Sequence, residues 1–111
     1  MKLAVIGSRT FNNQDLLNAT LNQFPMELII SGGARGADSM AAAYARHFNI
    51  PLKVFPADWD KWGKQAGYLR NKDIIAACDE VVAFWDGTSR GTAHSLKLAR
   101  EWGKKITIVK F

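Results

Sequence analysis

The chain has 111 residues, 48% of them hydrophobic, and a net charge of +5 from 15 Lys/Arg against 10 Asp/Glu. That is enough apolar sequence to bury the core of one domain, which excludes disorder, and too little for two domains. No apolar run approaches the ~20 residues that cross a bilayer, no block of like charges marks a polyanion-binding tail, and the single Cys78 rules out an internal disulfide and fits a reducing cytoplasm.

In chain order, apolar strand candidates fall at 2–6, 27–30, 51–55, 80–85 and 105–109. The opening run, Met1-Lys-Leu-Ala-Val-Ile-Gly7, continues into Ser8-Arg9 without a cleavage-like site, so it reads as a first strand and not a signal core. Three of the runs, Leu3-Ala-Val-Ile6, Glu80-Val-Val-Ala-Phe-Trp85 and Ile106-Thr-Ile-Val109, are nearly continuous, the pattern of strands buried on both faces. Helical spacing connects them. Leu17, Leu21 and Phe24 line one face of the first helix, and Met40, Ala41, Tyr44, Ala45 and Phe48 line the second. Leu69, Ile74 and Ala77 mark a third, and Ala93, Leu96, Ala99 and Trp102 a fourth. Strands alternating with helices predict a single α/β domain over 1–111. Its architecture is Rossmann-like, with a parallel sheet of about five strands flanked by helices on both faces.

In such sheets ligands bind beyond the carboxyl ends of the strands. The loops leaving the strands are Gly7 to Arg9, Ser31 to Asp38, Pro56 to Ala66 and Asp86 to Gly91, and every unusual sequence in the chain lies in one of them. Gly7, Ser8 and Arg9 end a strand expected at the centre of the sheet. Ser31-Gly32-Gly33-Ala34-Arg35-Gly36 is a glycine-rich strand-to-helix junction, where backbone N–H groups and a helix start favour an anion. The same sequence also serves as a tight turn. It carries no Gly-Lys-Ser/Thr, which argues against ordinary ATP hydrolysis. Arg35 has the planar fork that suits phosphate; Asp38 is suited equally to capping the helix and to accepting ribose hydroxyls.

The third connection is longer than a routine crossover loop, and long loops in compact domains are often functional. Trp59 and Trp62 in it suit either a stacking lid over a base or packing of the loop itself. A second glycine-containing junction, Asp86-Gly87-Thr88-Ser89-Arg90-Gly91-Thr92, sets hydroxyls beside glycines at a helix start, for a phosphate, a ribose or a plain cap. Arg9, Arg35, Arg70 and Arg90 all sit in or beside these segments. Cys78 reads as a small buried residue. His47, His94 and Cys78 lack metal-ligand spacing, so no metal site and no required cofactor are expected.

The order Gly-Ser-Arg after strand one, Ser-Gly-Gly-Ala-Arg-Gly-Ala-Asp after strand two, Ala66-Gly-Tyr-Leu-Arg-Asn71, Asp79 and a Gly-Thr helix start resembles the SLOG superfamily, and in particular its small stand-alone YspA-like members. DprA proteins share a Ser-Gly-x-Ala-Arg-Gly-x-Asp loop and a later Arg-Asn segment, similar to Ser31 to Asp38 and Arg70-Asn71. LOG-type phosphoribohydrolases carry an Arg nine residues before an Asp, as Arg70 stands before Asp79, and then a Gly-Gly-x-Gly-Thr-x-x-Glu loop. The resemblance implies a Rossmann-like fold that binds a nucleotide or nucleotide-derived ligand, often as a homo-oligomer, and adds Arg70 and Asn71 to the site. Where the LOG loop places its glutamate this chain has Ser95, and a neutral hydroxyl does not stabilise an oxocarbenium-like centre as a carboxylate does.

Three functions remain open on this reading. The first is a nucleotide-binding sensor or carrier, its ligand bearing phosphate and ribose and resembling ADP-ribose or NAD. The second is a nucleotide N-glycosidase or phosphoribohydrolase-like hydrolase with Asp38, Asp86 or Arg70 as catalytic candidates, and Asp58 and Asp60 as further acids on the same rim. The third is single-stranded DNA binding, which the net charge permits. A nucleotide-type small molecule is thus the expected partner, with nucleic acid second and no membrane association.

Overall fold

The computed structural model describes all 111 residues. Five strands, β1 (Lys2–Gly7), β2 (Leu28–Ser31), β3 (Leu52–Val54), β4 (Glu80–Trp85) and β5 (Lys105–Lys110), form one all-parallel sheet in the order β3-β2-β1-β4-β5. Helices α1 (Gln14–Leu21), α2 (Ala37–His47), α3 (Trp59–Trp62), α4 (Ala66–Ala77) and α5 (Arg90–Glu101) make the connections. This is the Rossmann-like α/β fold predicted from the alternating pattern. No helix is long and apolar enough to cross a membrane.

Because side chains alternate across a strand, β1 and β4 feed two separate cores. Leu3 and Val5 of β1, with Val82 and Phe84 of β4, pack on one face against Leu17, Leu21, Ala41 and Tyr44 of α1 and α2. Ala4 and Ile6, with Val81 and Ala83, pack on the other face against Ile74, Ile75, Leu96 and Ala99 of α4 and α5. The continuous apolar runs at 3–6 and 81–84 therefore do mark strands covered on both sides.

The run at 106–109 does so only in part: Ile106 packs toward one core and Val109 toward the other, neither fully buried. β5 is an edge strand with neighbours only in β4, and Ile108 is exposed. An apolar run reports the residues' preference and cannot report whether a second strand lies beyond. α1 also ends earlier than the spacing suggests: Leu21 is its last residue, and Phe24 follows in a turn while still packing against the core. Phe48 and Trp102 are exposed residues just past the ends of α2 and α5. The long third connection is not an open loop. It holds α3, capped by Asp58 through the Lys61 N–H (3.1 Å), and a 3-10 turn over Gly63–Gln65 leading into α4.

The rim is set by the loops after β1 and β2, which meet backbone to backbone. Gly36 has φ 72°, and a Cβ there would run into the Ser8 and Arg9 carbonyls. The Ala37 N–H donates to the Ser8 carbonyl (3.4 Å), tying the start of α2 to the end of β1. Gly103 also has a positive φ, 68°, but open space around it. Urea unfolding should therefore separate the two. Gly36→Ala is expected to cost about 2 kcal/mol or more, from conformational strain plus overlap, and Gly103→Ala about 1 kcal/mol, from strain alone. Equal losses would mean that the close approach does not constrain the rim.

Candidate functional site

Two adjoining cavities open at the carboxyl ends of the strands. The larger, about 440 Å³, lies between the β1 loop, the first two turns of α4 and the first two turns of α5. The smaller, about 300 Å³, is bounded by the β2 loop and the chain from Pro56 to Trp59. Arg9, Ala34, Trp59 and Arg70 line both.

Arg70 joins the parts. Its Nη1 donates to the Gly32 carbonyl (2.6 Å) and its Nε to Asn71 Oδ1 (3.2 Å). Asn71 in turn donates through Nδ2 to the Gly91 carbonyl and to His94 Nδ1, both at 3.3 Å. This pair therefore connects the β2 loop to the start of α5 across α4. With Nδ1 accepting, the neutral His94 ring carries its proton on Nε2. Burial lowers its pKa, and Lys72 and Lys97 push the same way. The Tyr68 ring meets His94 edge-on at 4.6 Å between centroids.

The glycine-rich β2 loop is arranged around an internal anion. Asp38 is buried, and its Oδ2 accepts from the Ala34 N–H at 3.0 Å. Burial raises its pKa above the ordinary 3.8, opposed by the Ala34 N–H and by the Arg70, Gly32 and Arg9 groups nearby. The Ser31 hydroxyl accepts from the Gly33 N–H at 3.4 Å. Much of the donor capacity of this loop is thus already satisfied within it. Gly32 leaves no room for a side chain beside the Arg70 guanidinium, and Gly33 and Arg35 line the smaller cavity.

The β4 loop differs. Asp86 Oδ1 accepts from the Thr88 and Ser89 N–H groups, both at 2.8 Å, and the Ser89 hydroxyl lies 3.0 Å from it. Those N–H bonds hold the Asp86 carboxyl far below the usual carboxylate range. The buried Ser8 hydroxyl joins the network, accepting from the Asp86 N–H at 3.2 Å and lying 2.8 Å from the Ser89 hydroxyl. The first three N–H groups of α5, on Arg90, Gly91 and Thr92, have no acceptor in the protein. That is an open donor set beside the larger cavity.

Of the residues singled out in the sequence, Gly7, Ser8, Arg9, Asp38, Trp59, Arg70, Asn71, Ser89, Arg90, Gly91 and Thr92 line the larger cavity. Gly32, Gly33 and Arg35 line the smaller, while Ser31, Gly36, Asp86 and Gly87 line neither and shape the loops. Trp59 borders both cavities with its ring against Gly67, whereas Trp62 is exposed and lines neither. The structure adds Thr10, Lys64, Tyr68, Ile74 and Ser95 to the larger cavity. Lys64 and Tyr68 flank the start of α4, in a segment whose helical start the sequence did not reveal. The only ion pair within 4 Å in the molecule joins the amino terminus to Glu27, so the rim cations Arg9, Arg35, Lys64, Arg70 and Arg90 have no carboxylate within 4 Å, although the buried Asp38 carboxyl acts on Arg70 and Arg9 from further away.

A family model described as "YspA, cpYpsA-related SLOG family" matches residues 1–62. The Gene 61 protein of Mycobacterium phage D29 is 35% identical over 99% of this chain and 95% of its own length. DNA processing protein A from Streptococcus pneumoniae superposes with a TM-score of 0.78 at 19% identity, covering 99% of this chain and 50% of that one. The Helicobacter pylori protein of the same name, whose structure was described for its single-stranded DNA binding mode, gives 0.75 at 22%, covering 97% and 64%. The chain thus spans about half to two thirds of these structural relatives, and the likeness is one of fold.

The pKa shift of Asp86 has a stability signature. Its folded value is depressed, so its contribution is complete above about pH 4 and fades as pH falls below that. Asp86→Asn keeps an acceptor for the Thr88 and Ser89 N–H groups but cannot titrate. Urea unfolding across the acid range should show a shallower decline for the variant; parallel curves would remove Asp86 as the titrating group.

Proposed function

As a member of the YspA, cpYpsA-related SLOG family, this chain, we propose, binds a nucleotide or nucleotide-derived ligand carrying phosphate and ribose in the larger rim cavity. One observation carries the reading: four cations, Arg9, Lys64, Arg70 and Arg90, with no carboxylate within 4 Å, line the larger cavity beside a helix start whose first three N–H groups are open. An anion there meets preorganised donors and an excess of positive charge, four cations against the single Asp38 carboxyl. We place its phosphate against the Gly91 and Thr92 N–H groups, with Arg90, Arg9 and Lys64 balancing charge and Arg70 fixed nearby by the Gly32 carbonyl. Trp59 and Tyr68 provide aromatic surface for a base.

What supports binding over turnover is the state of the acids. Asp86 is engaged by N–H groups of its own loop, Asp38 by Ala34, and Ser95 stands where the related hydrolases' loop has glutamate. A sensor or carrier of an ADP-ribose- or NAD-like molecule fits this arrangement, in the cytoplasm and as a homo-oligomer. A second reading, single-stranded nucleic acid, is favoured by the same exposed cations next to the half-exposed Trp59 at the junction of the two cavities.

Mass spectrometry of small molecules released from freshly purified protein should find a phosphorylated nucleoside derivative. Millimolar nucleotides or ADP-ribose should raise the melting temperature. Arg9→Ala and Arg90→Ala, both exposed, should weaken such a ligand about tenfold or more without lowering stability, as expected for charged hydrogen bonds. No bound molecule together with no thermal shift would sink the small-molecule reading. Salt-dependent binding of a labelled oligonucleotide in its place would install the second.

A further inference from the structure

Thr92 and Ser95 are 6% and 2% exposed, and both line the larger cavity. Neither hydroxyl makes a hydrogen bond inside the protein, although no fully buried polar side-chain atom is left without a partner. Both oxygens must therefore open onto the cavity. The other buried polar side chains of the rim are engaged internally: Ser8 with Ser89 and Asp86, Ser31 with Gly33, Asp38 with Ala34, and Asn71 with Gly91 and His94. A nearly buried hydroxyl with no internal partner costs stability. Here two stand three residues apart, on one face of α5.

Their surroundings select the chemistry that answers them. Ile6 and Ile74, almost fully buried, line the same cavity, whereas Arg9 and Arg90 are exposed at its mouth. Arg70, the half-buried cation of the cavity, is engaged by the Gly32 carbonyl and Asn71 Oδ1, so a phosphate pressed among isoleucines would lose hydration without gaining a free charge partner. A neutral group with two adjacent hydroxyls satisfies both side chains, since each hydroxyl donates and accepts. Asp38, the other rim residue suited to sugar hydroxyls, is held by the Ala34 N–H.

Resting on the nucleotide reading above, we propose that Thr92 and Ser95 bind the vicinal diol of a ribose whose phosphate lies at the start of α5, making the site selective for ribonucleotides over 2′-deoxyribonucleotides. The sugar sits one helical turn into the cavity, with the base toward Tyr68 and Trp59.

Calorimetric titration of the intact protein with AMP, GMP, CMP and UMP and their four 2′-deoxy counterparts tests this. At least one ribonucleotide should bind about tenfold more tightly than its deoxy form, the scale of one or two neutral hydrogen bonds. One of Ser95→Ala and Thr92→Val, whichever removes the partner of the 2′-hydroxyl, should erase most of that preference by weakening the ribonucleotide, and the other should weaken ribo and deoxy forms alike through the 3′-hydroxyl; a preference kept in full by both variants would overturn the assignment. Without ligand both variants should melt no lower than the parent, because no internal bond is lost; a lower melting point would make the hydroxyls structural and overturn the assignment. Equal affinity of the parent protein for ribo and deoxy forms would overturn the proposal and leave the nucleotide reading standing. No binding by any of the eight, nor by ADP-ribose in the same titration, would overturn both.

Discussion

The rim depends on one close approach, the backbone of the β1 loop lying directly on the start of α2. Gly36 adopts a positive φ with the Ser8 and Arg9 carbonyls where a side chain would otherwise be, and Gly7 is likewise enclosed by the Phe84 carbonyl and the Ala37 methyl. Packing at that distance brings the loops after β1, β2 and β4 within reach of one another. It also fixes where Ser8 points, and so positions the network through Ser89 and Asp86 that shapes the start of α5.

On that frame the two glycine-containing junctions have different electrostatic states. The β2 loop has closed around its own carboxylate, Asp38, beside the Arg70 guanidinium. The β4 loop has used its carboxylate, Asp86, one step earlier, on Thr88 and Ser89, and leaves the first N–H groups of α5 open. Both contain an acid, glycines and an arginine, yet only α5 leaves all of its first three N–H groups without an acceptor, the first of α2 being taken by the Ser8 carbonyl. The acids also sit differently: Asp38 lies inside α2, Asp86 four residues before α5.

Much of this was legible in the sequence. Strands buried on both faces announce themselves by continuous apolar runs, and glycines mark the loops that leave them, so the sheet and the rim on which those loops converge could be read directly. The engagement of Asp38 and Asn71 could not. Asn71 meets a carbonyl 20 residues away and Arg70 one 38 residues away, and such pairings exist only after the sheet has closed. Ser95 drew notice as a mismatch with a related motif; that its hydroxyl opens onto the cavity follows from the pitch and placement of α5. The exposure of β5 was hidden for the converse reason, since an Ile-Thr-Ile-Val run looks alike in the middle of a sheet and at its edge.

The strand order also governs how the chain is made. β1 pairs with β2, about 26 residues later, and with β4, about 78 residues later. At roughly 5–20 residues per second, a ribosome needs about 4–16 s to supply the second partner. Through that interval Leu3, Ala4, Val5 and Ile6 have at most one of the two neighbours that finally cover them. A strand buried on both faces is thus made well before its second partner, and the interval before β4 emerges is one in which those side chains are open to aggregation or to chaperone capture.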